Sequence, residues 1–491
     1  MLLAASFPKF GLPTFAWGAV APLFVAVALR ATAPLYTPWA AFRLGLMTGF
    51  VYFACTLYWT TTVMATFGGI SLPVAALLCG LLVAYLSIYV GAVAVLLGGS
   101  VRRFGVNGLW LAPVFWVALE FARAWVGGGF PWVPLGNSQV DVLPIAQLAS
   151  VTGVYGLSFL VALVSAAAAV VALSRRRQQL IAAVGVLLLV AGVAAAGVMR
   201  LSDNRLTTSG RALRIGLVQG NVEQQQKYDA RYKEAILSRY LRLSRETMLV
   251  GAAVVVWPEA STPFFLDNDS ALAAPIRTLA AQARVPFVIG TDEYDGTHIF
   301  NSASVIGADG KTTGSYRKMH LVPFGEFVPL KKLLFFVGPL VEAVSDFTAG
   351  TDPVVLDLGN DIHGSVAICY ESTYPSLTRT FVNAGAQFLM VITNDAWFGN
   401  SSAPYQHFQM GAMRAIETGR YMTRAANTGI TAVVDPYGRV IKRAEMFQPT
   451  SLTADIRLLD SRTIYTRYGD VMAWLCAVLT AVVAVVLRRR P

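Results

Sequence analysis

Seven apolar runs constrain the architecture before any motif is read. They fall at about 14–29, 44–63, 73–98, 106–124, 155–173, 180–199 and 469–487. Each approaches the roughly 20 residues a helix needs to cross a bilayer core of about 30 Å. The chain therefore reads as a multi-span α-helical membrane protein. From Arg211 to about Arg462 the runs stop and the composition becomes that of a globular domain. At about 250 residues this stretch can bury its own core. The expected organisation is a transmembrane domain at 1–200, a water-soluble domain at 211–462, and a last span with a basic tail at 463–491.

The formal net charge of +11 raises the question of nucleic acid. The placement of the charge answers it. Arg102–Arg103, Arg175–Arg176–Arg177 and Arg488–Arg489–Arg490 sit in short segments beside apolar runs. That is the signature of loops retained in the cytoplasm. No basic stripe with interleaved aromatics appears in the soluble stretch, so no nucleic-acid partner is expected. Counting spans from the Arg175–Arg177 loop puts the soluble domain outside the cytoplasm. In a bacterium that means an inner-membrane protein with a periplasmic domain. Residues 1–13 are too short to span and are broken by Pro8 and Pro13. They lack an A-x-A site after a charged region, so a cleaved signal peptide is not expected. Parity places them outside, which implies either a short re-entrant piece or a preceding span missing from the chain.

Two intramembrane features stand out. Glu120 and Arg123 lie three residues apart, a spacing that lets them pair on one helix face. The simpler reading is that Arg123 reaches for the interface and Glu120 follows. The loop GGGFPWVPLGNSQ (127–139) mixes Gly, Pro and aromatics. It reads equally as an interfacial anchor or as a lipid-binding rim.

In the soluble stretch, β-branched runs predict strands at about 213–219, 252–256, 286–290, 299–306, 364–369, 387–393 and 430–434. Helical patterns fall at about 229–248, 270–283, 374–384 and 405–425. Strands alternating with helices, several of them continuously apolar, predict an α/β fold with buried sheets. Three strands end in polar clusters: VVVWPEAS, SVAICYES and VITNDAWFG. Groups at strand ends gather into sites in such folds. Glu259 and Cys369 are therefore candidates for one site, with Asn394 and Asp395 at its wall.

Cys369 differs from Cys55, Cys79 and Cys476, which lie in apolar runs. A disulfide partner outside the membrane is absent, which leaves a small core residue or a nucleophile. A thiol nucleophile needs a base. None of His298, His320, His363 and His407 stands in a Cys–His motif. A carboxylate whose pKa is raised by burial does the same work, and Glu259 fits that role. The segment YRKMHLVPFGEFVP (316–329) adds Lys318 as an oxyanion partner, together with His320 and Glu326. No His, Cys and Asp occur at metal-ligand spacing, so neither metal nor cofactor is expected.

WPEAS, YRKMHLVPFGEFVP and GSVAICYES, in this order, resemble the Glu–Lys–Cys triad of the nitrilase (carbon–nitrogen hydrolase) superfamily. LRIGLVQGN resembles that superfamily's first strand. Set before the last span of a multi-span chain, with HLVPFGEFVP, NDAWFG and an FPW loop, the whole resembles the apolipoprotein N-acyltransferase family. The resemblance implies an α-β-β-α sandwich beside the transmembrane helices. It implies transfer of a fatty acyl chain from a phospholipid to the α-amino group of a lipoprotein's N-terminal S-diacylglyceryl cysteine. By the same resemblance Cys369 is the nucleophile, Glu259 the general base and Lys318 the oxyanion partner. Glu326, Tyr370 and Glu371 match supporting residues. Tyr228 sits near where some relatives carry a tryptophan, and Trp397 lies in the NDAWFG piece. The implied partners are the bilayer, a phospholipid donor and a diacylglyceryl apolipoprotein acceptor, used by a monomer.

The apolar segment KKLLFFVGPLVEAVSDF (331–347) then reads as a lid or membrane-dipping arm, against the alternative of a core helix. Phe264 and Phe265 are expected at the same mouth. The alternative activity is that of a membrane-tethered amidase or nitrilase using the same triad. A transporter or scaffold with an inert domain is the reading from another class.

Overall fold

The computed structural model describes residues 1–227, 229–323, 325–327 and 347–488. The chain forms two compact units. One comprises Met1–Thr62, Ser71–Asp203 and the chain from Tyr468 onward; the other comprises Val63–Ile70 and Asn204–Arg467.

In the first unit, six helical stretches among the described residues are long and apolar enough to cross a membrane. One of them, Leu72–Arg123, has 52 residues. As a straight helix it would run about 78 Å, more than twice a bilayer core. It doubles back instead, so it contains both of the runs expected at 73–98 and 106–124. The helix Leu72–Phe104 stops at Gly105, whose φ of 62° suits glycine. A 3₁₀ segment, Gly105–Leu111, leads into a second helix, Ala112–Arg123. A Cβ on Gly108 would lie 2.5 Å from the Ser100 carbonyl, so only glycine permits this close return.

Glu120 and Arg123 do not reach for the interface. Both are buried, and both hold the 127–139 loop by its backbone. Glu120 Oε1 accepts from the Leu135 N–H at 2.6 Å, and Arg123 donates to the Trp132 carbonyl at 2.8 Å. Tyr52 donates to the Val133 carbonyl at 2.7 Å. Residues 131–140 are consequently buried inside this unit, so this part of the loop is neither anchor nor rim. The physical reason is that loop backbone inside an apolar unit must find partners there.

The second unit is a pair of six-stranded sheets. The strands are β1 (Ala212–Gln219), β2 (Val254–Val256), β3 (Phe287–Tyr294), β4 (Ile299–Ile306), β5 (Thr312–Arg317), β6 (Leu356–Asp357), β7 (His363–Ile368), β8 (Phe388–Thr393), β9 (Met422–Ala426), β10 (Ala432–Val434), β11 (Val440–Arg443) and β12 (Thr450–Arg457). One sheet has the order β12-β1-β2-β3-β4-β5, the other β11-β10-β9-β8-β7-β6. The centres are parallel (β1 with β2 and β2 with β3; β7 with β8 and β8 with β9), and the edges are antiparallel. The sheets face each other, β1 against β9 and β4 against β7.

Helices cover the outer faces. Ile236, Leu237 and Tyr240 of Lys233–Leu249, and Ala273, Ile276 and Ala280 of Ser270–Ala283, close over Val218, Val255, Trp257 and Phe287. Pro375–Asn383 and Ala403–Thr418 lie on the second sheet. The result is the α-β-β-α sandwich. The helix expected to run to 425 ends earlier, because Gly419 takes a left-handed φ of 65° and caps it. The chain after it becomes β9, paired in parallel with β8.

Candidate active site

Glu259 follows β2 at the turn Pro258–Ser261. Gly290 on β3 lets this turn come close: a Cβ there would lie 2.2 Å from the Pro258 carbonyl oxygen. Ser261 fixes the approach through its N–H and hydroxyl, both donated to the Gly290 carbonyl, at 2.7 and 2.9 Å. Lys318 follows β5, and its backbone N–H donates to the Asn301 carbonyl at 2.8 Å. Strand ends from one sheet thus deliver both groups.

Their side chains meet in the interior. Lys318 Nζ donates to Glu259 Oε1 at 3.2 Å and to Glu326 Oε1 at 2.8 Å. The amide of Asn301, on β4, bridges the same two carboxylates at 2.7 Å each. Glu326 Oε2 accepts from the Val322 N–H at 2.7 Å, and Glu259 Oε2 from the Asn394 N–H at 2.8 Å. Asn394 thus fixes the acid from the opposite sheet.

Burial opposes a charge on Glu259, but Lys318, Asn301, Lys227 and the Asn394 N–H outweigh it and hold the pKa below the ordinary glutamate value. This corrects the expectation of a raised carboxylate. Burial likewise opposes the charge on Lys318, and the Glu259 and Glu326 carboxylates reverse it, so the ammonium is held above the usual lysine range. The site rests as a closed ion pair rather than as a neutral acid.

Cys369 stands one residue beyond β7, at the start of the 3₁₀ turn Cys369–Thr373. It has a φ of 53°, a left-handed conformation that is costly for a residue with a Cβ. Burial, then the Glu259 charge, push its thiol well up, against the pull of Lys318. The sulfur therefore carries its proton until a partner takes it.

Glu371 ties the two strand ends together. Its Oε1 accepts from the Tyr316 hydroxyl and the Met319 N–H at 2.7 Å and from the His320 N–H at 3.1 Å. Its Oε2 accepts from the Ile368 N–H at 2.8 Å. Burial nevertheless pushes its pKa up to about 7. Tyr370 is buried edge-on to Tyr374, with ring centroids 5.3 Å apart. Trp397 is half-buried and meets Phe67 edge-on at 5.0 Å. Phe264 packs in the core of the first sheet and so does not line a mouth, whereas Phe265 lies against Tyr294. Tyr228 and most of the 331–347 segment lie outside the described residues.

Several residues at the site had no signal in the sequence. Asn301 looked like any strand residue. Lys227 is buried, with Nζ 3.5 Å from the Glu259 carbonyl oxygen. Asp292 is near both, its carboxyl enclosed and pushed up to about 6, mainly by burial. His407 lies behind Cys369, brought there by the crossover from β8 into the helix Ala403–Thr418. No local spacing announces such a meeting. His320 stacks on Tyr374 at 4.3 Å, and its backbone rather than its ring bonds Glu371.

Donor atoms of Cys369, Asp395 and His407 lie within 4.8 Å of one another. They do not fit a metal. The Arg424 guanidinium donates to Asp395 Oδ2 at 2.9 Å and faces His407 Nδ1 at 3.0 Å, so a fixed cation already occupies both.

A buried carboxylate, ammonium and thiol thus stand at the strand ends of stacked sheets. Residues 214–465 match the family model described as carbon-nitrogen hydrolase, and residues 1–167 that described as the apolipoprotein N-acyltransferase N-terminal domain. The apolipoprotein N-acyltransferase of Geobacter metallireducens is 39% identical, over 100% of this chain and 94% of that one. That of Methylococcus capsulatus is 34% identical, over 95% and 92%. A solved amidase of the nitrilase superfamily from Nesterenkonia is 20% identical over 53% of this chain and 94% of that one, with a TM-score of 0.41. The chain belongs to the apolipoprotein N-acyltransferase family. It is an acyltransferase of the membrane, with lipid and lipoprotein substrates.

Proposed function

We propose that this enzyme moves a fatty acyl chain from a membrane phospholipid to the α-amino group of an apolipoprotein's N-terminal S-diacylglyceryl cysteine, through a thioester on Cys369. The observation that supports the thioester route is the closed Glu259–Lys318–Glu326 cluster together with the buried Cys369 thiol, whose pKa burial and then the Glu259 charge push well up. In the first step Cys369 Sγ attacks the ester carbonyl as its proton passes to Glu259. Negative charge moves from Glu259 to the oxyanion, and Lys318 stays beside it throughout. The C–O bond then breaks, Glu259 returns the proton to the glycerol oxygen, and a lysophospholipid leaves.

In the second step the lipoprotein amine attacks the thioester and gives a proton to Glu259. The C–S bond breaks, the thiolate recovers that proton, and an amide is left on the lipoprotein. Glu326 and Asn301 hold Lys318 and Glu259 in register. Glu371 holds the Lys318 segment to the nucleophile turn, and Tyr370 and Trp397 shape the surroundings.

In this reading a monomer sits in a bacterial inner membrane with the catalytic unit facing the periplasm. The basic clusters beside the spans support that orientation. In the sequence the catalytic unit is bracketed by the apolar helices Arg177–Asp203 and Val471–Arg488, which suits a donor and an acceptor that are both lipid-anchored.

The test supplies phospholipid and an S-diacylglyceryl cysteinyl peptide to the detergent-purified enzyme. The expected product is a peptide heavier by one acyl group on its α-amine. A peptide left unchanged, with ammonia released from a short-chain amide supplied in parallel, would instead favour the amidase alternative.

A further inference from the structure

The Cys369 carbonyl oxygen is gripped by two groups that the reaction itself does not use. His407 Nε2 lies 2.9 Å from it, and the Ser372 hydroxyl donates to it at 2.9 Å. The imidazole is fully buried, and its Nε2 also lies 3.0 Å from Ser372 Oγ. On the ring's other side, Nδ1 faces Arg424 Nη2 at 3.0 Å and Asp395 Oδ1 at 3.1 Å. Asp395 already accepts from Arg424 through Oδ2 and from the Thr393 hydroxyl through Oδ1. The two N–H groups of Arg424 Nη2 thus cover Asp395 Oδ2 and His407 Nδ1.

This arrangement selects one tautomer. A guanidinium N–H aimed at Nδ1 requires a lone pair there, and a carbonyl oxygen at Nε2 requires a proton there. The two contacts that favour the other tautomer are the longer ones, Asp395 Oδ1 at Nδ1 already accepting from Thr393 and the Ser372 hydroxyl at Nε2 already donating to the Cys369 carbonyl. The imidazole is held neutral, chiefly by burial and then by Arg424. His407 is therefore not placed to be the base for the thiol, because its lone pair, on Nδ1, is taken up by the Arg424 guanidinium.

We propose that His407 is a positioning residue, locked as the Nε2–H tautomer by Arg424, which Asp395 Oδ2 holds in place, and that it clamps the Cys369 carbonyl and so holds the nucleophile in its left-handed turn. The cost of the positive φ at Cys369 makes the clamp necessary. Without a donor at that carbonyl the residue relaxes toward ordinary backbone angles, and the sulfur shifts relative to the Glu259 and Lys318 charges that act on it.

The inference rests on Cys369 being the nucleophile, so its test uses a probe independent of the natural substrate. Iodoacetamide alkylation of Cys369 is followed by peptide mass in wild type, His407→Gln and His407→Phe, with the melting temperature measured alongside. Glutamine retains an N–H near the Nε2 position and phenylalanine does not. Alkylation is expected to stay within about threefold of wild type in the glutamine variant and to fall by about tenfold or more in the phenylalanine variant. Equal rates in folded glutamine and phenylalanine variants would overturn the proposal. If the phenylalanine variant does not fold, ¹⁵N imidazole shifts of the unmodified protein decide. A protonated Nε2 with a bare Nδ1 supports the clamp, and the opposite tautomer or an imidazolium overturns it. Failure of phospholipid to acylate Cys369, with these results intact, would contradict the lipid reading and leave the clamp standing.

Discussion

Glu259 and Lys318 face each other inside the protein, Oε1 3.2 Å from Nζ, with side chains 8% and 1% exposed. Neither charge is tolerable there without the other. The same ammonium serves Glu326, so Lys318 pairs with two carboxylates, and Lys227 adds its charge near Glu259. Lys318→Met leaves the two carboxylates without their shared cation, held only by the Asn301 amide and by one backbone N–H each, from Asn394 and Val322. Removing one partner of a buried ion pair costs about 3–5 kcal/mol. Acyl transfer is expected to fall by at least about 10²–10³-fold. Denaturant titration and Cys369 acylation followed by mass read the two effects separately.

Glu371 gathers four donors from two chain segments. Glutamine offers a single acceptor oxygen and brings two donors of its own. Glu371→Gln therefore strands at least one buried N–H or O–H, at about 1–3 kcal/mol each. A lower unfolding midpoint is expected, together with slower acylation, because the Lys318 segment and the Cys369 turn lose their common tie. An unchanged midpoint would contradict this.

The buried acids pull stability in opposite directions with pH. Glu259 and Asp395 have folded pKa values below their ordinary ones. Their contribution is present above the ordinary carboxylate values and is lost as pH falls through the folded values. Asp292, raised to about 6, and Glu371, raised to about 7, behave oppositely. Theirs is present below the ordinary values and is lost as pH rises through 6 and 7. The stability of Asp292→Asn relative to wild type should therefore increase between pH 4 and 7. Melting temperatures across that range check the slope.

Because burial and Glu259 hold the Cys369 thiol well above its ordinary pKa, iodoacetamide alkylation should keep rising from pH 7 to 9. A plateau within that interval would show a thiolate formed at neutral pH, in place of the thiol-and-carboxylate resting state.

Orientation is tested with single cysteines and a membrane-impermeant maleimide. Thr297→Cys, on an exposed loop between β3 and β4, should label in cells whose outer membrane is permeabilised. Arg175→Cys should label only after the inner membrane is opened. The reverse pattern would contradict the periplasmic reading.

Much of this was legible because it rests on local periodicity. The strand at 299–306 and the helix at 270–283 emerge at the boundaries read from the chain. β6 was not legible, since two residues carry no period, and β9 was hidden behind a helical pattern that Gly419 ends. Within the site, Glu259 and Cys369 could be singled out because polar groups end apolar strands, and Lys318 because the segment YRKMHLVPFGEFVP supplies a cation. Asn301, Lys227, Asp292 and His407 could not, because crossovers that no local spacing records bring them together. The direction of the Glu259 pKa was misread for a related reason. Burial can be guessed from a sequence, but two lysines converging on one carboxylate cannot.

The most direct test is the intact mass of the protein after incubation with a phospholipid carrying an isotopically labelled acyl chain and no acceptor. Wild type should gain one labelled acyl group, removable by hydroxylamine and mapped to Cys369, and Cys369→Ser should gain no thioester. A wild-type protein that is folded, thiol-reactive and unmodified after exposure to phospholipid would contradict the account.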